Sequence, residues 1–204
     1  MKRKLIYFFA GVLAFGISQL LLRIPLLSFA KQTYGYLWLS VAAPFVLTWL
    51  IAFSAGLFEE TGRLVLMKLS VKIAAPTKKT KLSDAVVFGL GHGLLEAGWI
   101  ILQIIPAISL YGFSLSVIIS LLERTFAVIF HIGMSVFIAL AVNKKQIRWY
   151  LLAIALHTAA DGIIVYFTSV LVLEAVFAAI AVFAVTAAVF IFSHYKEEKN
   201  HADD

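Results

Sequence analysis

Two adjacent carboxylates and a guanidinium, Glu59, Glu60 and Arg63, interrupt a largely apolar run from Leu50 to Met67. Three imidazoles stand in similarly apolar surroundings downstream: His92, with Glu96 four residues on; His131, preceded by Glu123 and Arg124; and His157, with Asp161 four residues on. Residues three or four apart share a helix face, so each helix carrying such a set points its polar groups one way. Ionisable groups in apolar spans are costly, and they usually face the interior of a bundle. A glutamate among histidines can polarise water for attack on an amide. It can help hold zinc or another metal that activates water. It can also relay protons in a transporter. The same residues read as structure would be an intrahelical salt bridge at Glu59 to Arg63 and hydrogen bonds at the histidines.

The elements that must position these groups lie in a bilayer. The chain has 204 residues, 62% hydrophobic and only 14% charged, with a mean hydropathy of +0.98. Soluble domains are nearer about 45–50% apolar and about 25% charged. With no cysteine, a disulfide framework and thiolate chemistry are excluded. The net charge of +6 reads as basic loops on an anionic leaflet, with no nucleic-acid partner. A helix crosses a bilayer with about 20 apolar residues. The pattern predicts about six spans: Leu5 to Leu22; Tyr36 to Phe58 or on to Leu69; Leu82 to Ile105; one within Phe113 to Val142, its first third interfacial or re-entrant; and two in Trp149 to Phe192, turning near Ser169 to Glu174. Met1 to Lys4 resembles the start of a signal peptide, but no small-residue cleavage site follows, so the first helix is read as retained. The fold class is therefore all-α, a polytopic transmembrane bundle. Residues 1–193 form one integral membrane domain, and 194–204 a polar cytoplasmic tail.

Lysine and arginine set the orientation. Lys2 to Lys4, Arg63 to Lys81, Lys144 to Arg148, and Lys196 with Lys199 flank alternate ends of the spans, which predicts both termini cytoplasmic. Arg23 and Lys31 fall in the opposite loop. "AAPTKKTK", Ala74 to Lys81, reads as a linker. Counted from the basic ends at about 1.5 Å per residue, Glu60, His92, His131 and His157 all lie about 12–18 Å deep. They form one polar layer, expected to line a cavity that opens to the cytoplasmic side. Gly89, Gly91 and Gly93 around His92 allow close helix approach, or room for water or a peptide.

In order along the chain, "LLRIPLL", "GLFEETGR", "GLGHGLLE", "LLERTFAVIFH" and "LHTAADG" give a di-glutamate with arginine, an FxxxH histidine (Phe88, His92) and an HxxxD pair (His157, Asp161). This order resembles the superfamily of CAAX proteases and bacteriocin-processing proteins, glutamic-type intramembrane endopeptidases, and within it the YhfC branch. The match covers spans one to five. Arg63 departs from the superfamily pattern, coming one residue sooner than in EExxxR.

The resemblance implies an intramembrane endopeptidase acting on a membrane-associated peptide or protein in a bacterial plasma membrane. Glu59 would activate water, His92 would orient it or stabilise the oxyanion, and His157 with Glu60 would complete the catalytic set. Arg63, Glu96, His131, Asp161, Glu123 and Arg124 would support it, with Arg63 as counter-ion, because two close buried carboxylates cannot both ionise cheaply. The resemblance favours metal-free glutamate chemistry with no cofactor. HExxH spacing is missing, yet three imidazoles from three helices with acidic neighbours leave a metal site geometrically open. The alternatives of another class are a proton-coupled transporter, for which no inverted repeat is evident, and a non-catalytic membrane regulator.

Overall fold

The computed structural model describes residues 1–74 and 79–200, and every regular element among them is helical. Helix α1 (Lys2–Phe15) passes without a break through a π-helical segment (Gly16–Arg23) into α2 (Ile24–Ala30). Pro25 accounts for the change of pitch. Its ring has no N–H and crowds the preceding turn, and the wider π segment absorbs it, with Ile24 N–H bonded five residues back to Gln19. Such bulges occur frequently at functional sites. Arg23, expected in a loop, instead lies within this continuous helix and is buried.

The expected second span is cut in two. Helix α3 (Tyr34–Ala42) stops at Ala43, whose extended backbone (φ −148°, ψ 60°) precedes Pro44, because a residue before proline is driven out of the helical region. Helix α4 (Pro44–Ala74) then runs for 31 residues. Helix α5 (Leu82–Tyr111) outlasts its expected end at Ile105, turning only at Gly112, which has φ 70°. Helix α6 (Leu115–Lys144) is one unbroken helix, so its first third does not re-enter. Helix α7 (Ile147–Gly162) ends in a 3-10 turn, Ile163–Tyr166, and α8 (Val170–Asn200) follows. The last turn between helices thus falls before Val170, earlier than expected. Helix α8 also continues through the expected tail to Asn200; residues 201–204, and 75–78 of the linker with Pro76 and Lys78, lie outside the described residues.

Among the described residues, four helices are long and apolar enough to cross a membrane: Lys2–Ala30, Leu82–Leu110, Val117–Lys144 and Val170–Tyr195. Helix α4 has the length but carries Glu59, Glu60, Arg63 and two lysines. Helix α7 has 16 residues, about 24 Å at about 1.5 Å per residue.

Helix α6 is the axis, packing on α4, α5, α7 and α8, while α1 packs on α4 and α5. Residues Met134 and Val136 to Ala141 are buried all round, as a helix inside a bundle must be. The large exposed side chains, such as Leu5, Phe9, Leu13, Phe53, Leu94 and Phe183, suit a lipid environment.

Helix α1 meets α5 backbone to backbone. A Cβ on Gly91 would stand 2.1 Å from the Phe8 carbonyl oxygen, and one on Gly11 2.0 Å from that of Phe88. The glycines beside His92 therefore serve helix contact: Gly89 faces Ile132 and Gly93 faces Val128, both on α6. Gly91→Ala should destabilise the protein by about 1–3 kcal/mol, the usual range for overpacking. Gly98→Ala, on the same helix with open space around it, should be neutral or slightly stabilising. Thermal unfolding in detergent compares the two; equal melting temperatures would refute the close-approach reading.

Candidate functional site

Glu59, Glu60 and Arg63 occupy one face of α4 near its middle, and all three are buried. From there they meet histidines of three other helices. His92 of α5 places Nε2 3.0 Å from Glu59 Oε2. His157 of α7 bonds through Nδ1 to Glu60 Oε1 at 2.8 Å, with its Nε2 3.7 Å from Glu59 Oε2 and 3.9 Å from Asp161 Oδ2. An ionised carboxylate only accepts, so His157 donates from Nδ1 to Glu60, which leaves its Nε2 facing Glu59 and Asp161 beyond hydrogen-bond distance.

Arg63 forms the floor. Its Nε pairs with Glu60 Oε2 at 3.0 Å, as an ion pair outside hydrogen-bond alignment. Its Nη1 donates to the His131 carbonyl at 3.0 Å and to Ser135 Oγ at 2.8 Å. Its Nη2 approaches His92 Nε2 at 3.2 Å and His131 Nδ1 at 3.1 Å. A guanidinium only donates, so each ring nitrogen can either accept from it or give its one electron pair to a proton or a metal cation. His92 Nε2 and Glu59 Oε2 then face one another at 3.0 Å as two acceptors. A proton or a metal cation between them resolves that opposition.

His131 Nε2 is in close ion-pair contact with Glu96 Oε2. Arg124 donates to Glu96 Oε1 at 3.2 Å and makes a close contact with Glu123 Oε1. All ten residues singled out from the sequence therefore fall in one network. The expected face-sharing of His92 with Glu96 is not used as a pair, because Glu96 turns across to His131 and Arg124 on α6. Asp161 is only loosely engaged, with 41% of its side chain exposed.

Gln19 was missed. It lies on the π segment and donates from Nε2 to Glu59 Oε1 at 2.7 Å. Arg23 fixes its orientation by donating from Nη1 to Gln19 Oε1 at 2.9 Å, while Arg23 Nε and Nη2 hold Ser54 Oγ and the Ile51 carbonyl, both at 2.9 Å. A signal was available, since Gln19 and Arg23 are four apart and share a face, but a span ending at Leu22 leaves Arg23 in a loop. Gln19→Leu should lower kcat about 10–100-fold, the usual effect of losing a group that orients a site carboxylate, with little change in KM. Steady-state kinetics of the variant decide it, and an unchanged kcat would remove Gln19 from the site.

Glu59, Glu96, His131 and His157 border a cavity of about 290 Å³ whose apolar walls include Ala127, Phe130, Leu173 and Phe177, while His92 and Glu60 are not part of its lining. Its lining runs from Glu59, His131 and His157 toward Asp161, Glu123 and Glu174, at the ends of α6, α7 and α8 away from the lysines. Among the described residues the expected opening on the lysine-bearing side is not found, and apolar core fills that half. One ligand atom from each of Glu59, His92, Glu96 and His131 lies within 4.8 Å of the others, close enough for a single metal ion to be held by all four.

The family model described as YhfC intramembrane metalloprotease matches residues 1–117 and 103–187. The chain belongs to this family. No curated protein and no solved structure matches it. As a member of the YhfC family the chain is an integral membrane protein and a protease, and membership sets aside the transporter and regulator alternatives.

Proposed function

We propose that this YhfC-family protein cleaves a peptide bond of a membrane-associated protein in a bacterial plasma membrane, with a divalent metal ion held by Glu59, His92, Glu96 and His131. The convergence of these four ligand atoms within 4.8 Å carries the reading. The donor set fits. Carboxylate oxygen and imidazole nitrogen suit zinc and related first-row ions, and a cation answers the opposition of Glu59 and His92. The family's description as metalloproteases supports the same choice over metal-free glutamate chemistry. Helices α4 and α7 complete six spans in one membrane domain, with the lysine-bearing ends and both termini in the cytoplasm.

When bound, such an ion supplies Lewis acidity for the scissile carbonyl and a water nucleophile at neutral pH. The chain's own residues do the rest. Glu60 holds His157 through Nδ1–H, so that Nε2 can take a proton from the attacking water and return it to the leaving amine. Glu60 never reaches the cavity and acts as a positioning residue. Arg63 pairs with Glu60 and braces the His131 carbonyl and Ser135 from beneath. Apolar walls at Phe130, Phe177 and Leu173 exclude bulk water around the peptide.

A metal-free variant of the same reaction has one specific support: Glu59 Oε2 already lies within reach of both His92 and His157, and could itself take the proton from water. Chelation separates the two. In proteoliposomes with a membrane-protein substrate, cleavage should stop after exhaustive chelation and return on adding zinc. Undiminished cleavage by metal-stripped protein would establish the glutamate mechanism in its place.

A further inference from the structure

We infer that the site is entered from the end of the bundle opposite the lysine-bearing loops, so that the bond cut lies on the extracytoplasmic side of the membrane. The nature of the substrate rests on the protease reading above; the route is read from the cavity alone. Side-chain exposure rises in one direction through the network. It is 4% at Glu59, His131 and His157, 18% at Glu96, 33% at Glu123 and 41% at Asp161. These last two residues lie near the start of α6 and at the end of α7, beside Leu173 and Glu174 in the opening turns of α8.

Among the described residues the other direction is closed. Beneath the site, Arg63 is fully buried, and Met67, Phe88, Met134 and Ile138 are each 0% exposed. Beyond them the bundle is tied at its base. Arg3 and Lys4 of α1 both pair with Asp84 of α5. Asn143, near the end of α6, bonds the Thr80 backbone in both directions, at 2.9 Å and 2.8 Å. Lys68, Lys72, Lys81, Lys144, Lys145 and Arg148 gather at this same base. Short basic loops mark the cytoplasmic side, which makes the open end the extracytoplasmic one. A substrate segment crossing the membrane would present its outer half to the cavity, and a bond near its cytoplasmic end would meet only packed core.

The chain has no cysteine, so single cysteines report access on a clean background. Ala127→Cys and Leu173→Cys place a thiol on the cavity wall; Arg148→Cys marks the basic end. Each is treated with a membrane-impermeant maleimide in right-side-out and in inverted vesicles. The expected result is labelling of both cavity positions at least tenfold faster from the outside, and of Arg148→Cys at least tenfold faster from the inside. Ala127→Cys adds one sulfur atom on the side of the cavity, so it keeps the test open if Leu173→Cys misfolds. Cavity and Arg148 positions labelled from the same face would overturn the route. Cavity cysteines unreactive from both faces in folded protein would also overturn it, and Arg148→Cys labelled from outside would overturn the extracytoplasmic assignment. Labelling needs no turnover, so a failed protease reading would show separately, as missing cleavage with the labelling pattern intact.

Discussion

Glu59→Gln is expected to lower kcat about 100- to 10,000-fold, the span associated with loss of a proton-transfer group, and to weaken metal binding at the same time. The substitution is nearly isosteric. Gln19 can still donate to the oxygen at Oε1, 2.7 Å away, so the side chain stays in place. What changes is the other arm. An amide nitrogen facing His92 and His157 neither accepts a proton nor ligates a metal. KM should move little, because the apolar walls that would bind the peptide are untouched. A Glu59→Gln protein that cleaves at the wild-type rate would end the assignment of this carboxylate to the chemistry.

Arg63→Leu is expected to cost about 3–5 kcal/mol of stability, the range for stripping one partner from a buried ion pair. Arg63 and Glu60 are both 0% exposed, 3.0 Å apart. Without the guanidinium, Glu60 keeps only His157, and the His131 carbonyl and Ser135 lose their donor. Adding Glu60→Gln to Arg63→Leu should recover much of the loss, because the uncompensated carboxylate goes with it. Activity should stay low in the double variant, since a neutral amide holds the His157 Nδ1–H less firmly than a carboxylate and the His131 carbonyl and Ser135 still lack their donor. Thermal unfolding of the single and double variants measures this. A single variant as stable as wild type would show that Arg63 is not a necessary counter-charge.

These residues were legible in the sequence because charge in an apolar helix has few explanations. Glu59, Glu60 and Arg63, or His157 and Asp161, stand out at helical spacing whatever the fold. Their common depth placed them in one layer, and the structure does bring them together. What spacing could not supply is the choice of partner across helices. Glu96 sits one turn from His92 yet turns to His131, because α5 and α6 pack closely enough at Gly89 and Gly93 to bring α6 within reach. Arg23 was hidden because the apolar run ends at Leu22, which leaves it in a loop; in the structure the π segment carries the helix on past it and turns Gln19 toward Glu59. The break at Ala43 is the converse, a proline that did end a helix inside an apolar run. The direction of the cavity was also illegible. Depth along a helix says how far a residue lies from each end, and nothing of which side is filled. Met134 and Phe137 fill the lysine side, while the small Ala127 and Ala160 leave the other open.

The most direct test of the central claim is the metal content of purified protein, wild type beside His92→Ala/His131→Ala, with folding of both checked by thermal unfolding. The metal-centre account predicts close to one divalent ion per wild-type chain and less than about a tenth of that in the double variant. A fully active wild type without stoichiometric metal, or a double variant that retains it, would contradict a metal centre at Glu59, His92, Glu96 and His131.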